Sequence, residues 1–116
     1  MNHVPSVLQH RETARTVSTG LLDAAQRLAS AGSFDEFVAA VEAHRQAWSN
    51  IHSVAPTLGV VIPDEMMRFS LAAPQKIKKG LSDYEVEMLI RFDRMVSGAI
   101  LEAVGDFAYS DRRSAY

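Results

Sequence analysis

The chain has 116 residues, with 12 Lys+Arg against 14 Asp+Glu, no Cys and a hydrophobic share of 47%. That is the size and composition of one folded domain, too apolar to remain disordered. The missing Cys excludes a disulfide frame, a thiolate nucleophile and thiolate metal ligation, and a net charge of −2 exerts no long-range pull on nucleic acid or anionic lipid. No apolar run approaches the roughly 18–20 residues of a membrane span. Residues 1–5 lack the basic-then-apolar layout of a secretory leader. A cytoplasmic single domain over residues 1–116, away from membranes, is expected, with a short lead at 1–5.

The spacing predicts a first helix over Ser6 to Ala31, with Leu21, Ala24, Ala25, Leu28 and Ala29 as its apolar stripe and Gly32 as its stop. Ser33 and Glu36 form a capping box for a second helix. Its stripe reads Phe34, Phe37, Val38, Val41, Trp48 and Ile51, and Pro56 predicts its end near Val54–Ala55. Residues 57–61 are too short and isolated for a sheet and read as a loop packing apolar side chains. Pro63, Asp64 and Glu65 open a third helix running towards Lys79, with proline at its first position. Pro74 should kink or split it. Ser82 and Glu85 make a second capping box, opening a fourth helix that continues to about Val104 before Gly105. Residues 107–116 read as a frayed tail. The fold class expected is an all-α bundle of about four helices.

The fourth helix carries more apolar surface than one buried stripe requires. Val86, Leu89, Ile90, Val96, Ile100 and Val104 form one face, and Tyr84, Met88, Phe92, Met95 and Ala99 a second. A surface helix needs an apolar arc of only about 100°, so the second face is either buried in the domain or offered to a partner. Asp93 falls within the first face, where a buried carboxylate needs a partner from another helix. His44, Trp48 and His52 share a helix face, but two turns separate the histidines, so no metal site is expected and both are placed at the surface or the core edge. Trp48 reads first as a core anchor and second as a partner contact. Lys76, Lys78 and Lys79 form the one basic run, too small to predict direct nucleic-acid binding. Metalloprotease, hydrolase, P-loop and dinucleotide signatures are absent from the sequence, so neither enzymatic activity nor a cofactor is expected.

Three blocks, in order, carry a resemblance. Residues 42–49 read Glu-Ala-His-Arg-Gln-Ala-Trp-Ser, residues 62–66 read Ile-Pro-Asp-Glu-Met, and residues 89–96 read Leu-Ile-Arg-Phe-Asp-Arg-Met-Val. Together they resemble the FlaF family of flagellar biosynthesis regulators over residues 10–101. The chain departs from that pattern at His44 and Asp93, where Asn is usual, at Met67, at Pro74, and beyond Val104. The resemblance implies a cytoplasmic, all-helical protein that binds newly made flagellin before export and influences flagellin production, with a second flagellar regulator as a further partner. Flagellin, or another amphipathic-helix protein, would meet Trp48, Met88, Phe92 and Met95 as apolar contacts, with Arg45 and Arg94 as rim charges. The alternatives are a module that forms a homodimer through its fourth helix and a translational regulator contacting RNA through the lysines.

Overall fold

Helix punctuation sets most of the architecture. The computed structural model describes residues 7–105, which form α1 (Val7–Ser30), α2 (Phe34–Leu58), α3 (Asp64–Ala72) and α4 (Asp83–Ala103), with no strand among the described residues. The expected lead at 1–5 and tail at 107–116 lie outside them. The Ser82–Glu85 capping box is complete. Its counterpart differs: the Ser33 hydroxyl accepts from the Glu36 N–H, but the Glu36 carboxylate accepts from Gly32 instead of the cap residue.

Two helix ends correct the sequence reading. α2 runs through Pro56 to Leu58. A proline this close to the C-terminus removes one helical hydrogen bond, and the buried Leu58 and the cap behind it recover the end. Gly59 adopts φ 74°, and the N–H of Val60 returns to the Ala55 carbonyl at 3.0 Å, closing a Schellman-type cap. α3 stops at Ala72 instead of continuing to Lys79. Ala73–Lys76 tighten into a 3₁₀ turn with Pro74 near its start, so the third helix is split there. Pro63 is the N-cap of α3, one position before the expected first turn.

The packing follows from two apolar clusters. Ala14 and Leu21 of α1 meet Trp48, Ile51 and Leu58 of α2 and Val96 and Ile100 of α4. Leu28, near the other end of α1, meets Ala40 and Val41, early in α2, and Leu89, early in α4. α1 is therefore antiparallel to both α2 and α4. Burying each Leu, Ile or Val side chain here contributes about 1.5–3 kcal/mol. α3 and its 3₁₀ turn close the open side of α2 and α4: Phe69 packs edge-on against Phe92 with ring centroids 5.7 Å apart, and Lys76 pairs with Glu85 at 3.3 Å. No helix among the described residues is long and apolar enough to cross a membrane.

Some expected stripe members lie outside the core. Phe34 is 68% exposed, and Val38 is exposed too. At roughly 100° per residue they sit about 60° and 100° around the helix from Phe37, beyond the arc that α1 and α4 cover. Ala29 is also exposed, at the edge of α1. In the expected loop, Val60 and Ile62 do pack against the core, but Val61 projects into solvent and Leu58 belongs to α2.

Candidate functional site: a groove built over a buried polar cluster

His44 occupies the centre of the buried face of α2. Phe37, Val41, His44, Trp48, Ile51 and Ala55 recur at alternating spacings of three and four, so the ring points where a core residue would. The structure buries it completely, correcting the surface or core-edge placement. Asp93 holds the same place on α4, between Leu89 and Val96, and is equally buried. The carboxylate receives the partner from another helix that its position demands: His44 Nδ1 lies 2.8 Å from Oδ1 and 3.0 Å from Oδ2. Trp48 Nε1 donates to Oδ1 at 2.6 Å.

The other ring nitrogen ties in α3. His44 Nε2 lies 3.0 Å from the main-chain carbonyl oxygen of Ser70. A carbonyl only accepts, so Nε2 carries a hydrogen and donates it. Burial pushes the Asp93 carboxyl above the usual carboxylate range, and the hydrogen bonds from His44 and Trp48 oppose that rise in part. The Ser70 hydroxyl beside this contact is buried and has no hydrogen-bond partner. A second buried polar contact joins the Ser18 and Ser97 hydroxyls between α1 and α4.

Trp48 is therefore corrected from a partner contact to a core residue. It is fully buried and its N–H is committed to Asp93. Its role as a core anchor is the one the structure displays.

The remaining candidate residues divide among separate surfaces. Met88 and Phe92, with Tyr84, line one side of an open groove of about 480 Å³ between α4 and α3, whose other side is Pro63, Glu65, Met66 and Phe69. Met95 and Arg94 line a different hollow of about 420 Å³ between α4 and Ala29 of α1, together with Ile90 and Arg91. Met95 is 53% exposed and Tyr84 68%. The second apolar face of α4 is thus largely uncovered, and the two hollows flank it. Arg45 lines neither hollow. Its guanidinium is held by Glu42 one turn away, at 2.9 Å from Nε, and this contact keeps the Glu42 carboxyl below its usual range.

Sequence reasoning missed the cluster of His44, Asp93 and Ser70 as a unit. The signal for the first two was positional: each is the one polar member of an otherwise apolar stripe. Ser70 carried no comparable signal, because its main-chain oxygen makes the contact. Among the described residues, no group of three or more His, Asp or Glu side chains could hold a metal ion. Searches against family models, curated proteins and solved structures find no match to this chain, so the FlaF resemblance rests on the three blocks that carry it.

Proposed function

We propose that the chain binds flagellin, in the manner its resemblance to FlaF implies, by receiving an amphipathic flagellin helix in the groove between α3 and α4. The observation that carries this reading is the open Met/aromatic lining of that groove: the exposed Tyr84 and the half-buried Met88 of α4 share it with Met66 of α3, and the touching rings of Phe69 and Phe92 line it between them. Helix-in-groove recognition needs an apolar channel that accepts residues spaced three and four apart, and Met side chains adapt to such a guest. Flagellin ends are amphipathic helices that polymerise through their apolar faces, so covering one would keep newly made flagellin unassembled. Moderate affinity suits the task, since export demands release. Control of flagellin production would follow indirectly, through competition between flagellin and a second regulatory protein.

Titration calorimetry of the purified chain against purified flagellin tests this reading. Saturable one-to-one heat is expected. No association between two folded proteins overturns it. Light scattering on the chain alone tests the rival: a dimer that dissociates when Tyr84 and Met95 become Asp would favour a self-associating module. The basic run offers RNA little, because Lys76 is engaged by Glu85.

A further inference from the structure

We infer that His44 and Asp93 form a proton-holding latch that fixes α3 in place, and with it one wall of the groove, so that the groove loosens as pH rises. The two side chains are the sole buried titratable groups among the described residues; the other buried polar residues are Ser18, Ser70 and Ser97. From α2 the pair is faced by Trp48, which donates an N–H and does not titrate, and from α3 by the Ser70 carbonyl. The buried residues of α1 are Ala14, Ser18, Leu21, Ala24, Ala25 and Leu28, none of them charged.

Proton counting defines the latch. Both ring nitrogens face acceptors, so the ring and the carboxylate hold two hydrogens between them. One is donated by Nε2 to Ser70; the other lies between Nδ1 and the Asp93 oxygens. In that state the cluster is electrically neutral and each contact is donor to acceptor. Removing one proton leaves either Nε2 facing the Ser70 carbonyl or Nδ1 facing the carboxylate as two bare acceptors, and it leaves a net negative charge in the core.

The direction of the Asp93 shift agrees. Its carboxyl is raised by burial above the ordinary value of 3.8, so the folded chain holds protons more strongly than the unfolded one. That contribution to stability is complete below 3.8 and is lost as pH rises through the raised value. The loss should appear first in α3. It is the shortest helix, with nine residues, and Ser70 is its one buried residue, held at its main chain by the latch.

Hydrogen exchange of the α3 amides tests the latch without any binding partner, so its failure is distinct from failure of the flagellin reading; the consequence for the groove rests on that reading. Rates for Asp64–Ala72 are taken relative to those of α1, to cancel the intrinsic pH dependence of exchange. As pH rises above 3.8 and through the raised Asp93 value, opening of α3 should rise by up to about tenfold per pH unit, the slope for one proton. In the double variant His44→Asn plus Asp93→Asn, two amides that do not titrate replace the pair, and the relative rates should stay flat. Equal slopes in the two proteins, or a flat wild type, overturn the latch. Should the double variant not fold, the ¹³C signal of the Asp93 carboxyl in the wild type decides. It should shift over the same pH interval in which α3 opens, and an unchanged carboxyl signal while α3 opens overturns the latch equally.

Discussion

The two apolar faces of α4 have opposite fates. The face containing Leu89, Val96 and Ile100 is buried although it carries Asp93 at its centre, whereas the face of Tyr84 and Met95, with Arg91 and Arg94 beside it, stays largely open despite its apolar members. The difference lies in what stands opposite. Asp93 finds the His44 ring and the Trp48 N–H on α2, so its desolvation is offset. Tyr84 and Met95 find only the rims of two hollows. Apolar character alone therefore does not determine which face of a helix is the inner one; a matched polar residue can mark the inside more reliably.

Breaking the inner face should produce the largest effect. Asp93→Ala leaves the His44 ring and the Trp48 N–H buried without their acceptor, and should cost about 3–5 kcal/mol, read from the midpoint of urea unfolding. Trp48→Phe keeps an aromatic ring in the core but deletes the donor to a charged acceptor; a loss of about 1.5–3 kcal/mol is expected by the same measurement, with some cavity cost added. Ser70→Ala works in the opposite direction. It removes a hydroxyl that is buried without a partner and should stabilise the chain by about 1 kcal/mol, seen as a higher midpoint. On the outer face, Tyr84→Asp and Met95→Asp should each change stability by no more than about 0.5 kcal/mol. A large loss from either would mean that the outer face is structural and would erase the contrast between the faces.

The helices themselves were legible because their signals are local. Ser82 and Glu85 lie three residues apart and cap as their spacing demands, and Pro74 breaks the third helix where it stands. Pro56 misled because a proline rule is written for helix interiors, while Leu58 and Gly59 just beyond it secure the end. The site was only half legible. Periodicity placed Asp93 on the inner face and required a partner from another helix, but nothing local links it to His44, 49 residues away. Trp48 was read two ways because a tryptophan serves cores and interfaces alike; its N–H contact with Asp93 belongs to the folded chain only. Met88 and Met95 share a helical stripe in sequence, yet α3 on one side and α1 on the other place them in different hollows.

The most direct test of the proposed groove is to titrate the isotope-labelled chain with a peptide of flagellin's terminal amphipathic helix and follow every backbone amide. The account predicts shifts concentrated at Asp64–Phe69 and Tyr84–Phe92, abolished by Tyr84→Asp and unaffected by Met95→Asp. Shifts centred on Ala29, Arg91 and Met95, or none at all with both partners intact, would contradict it.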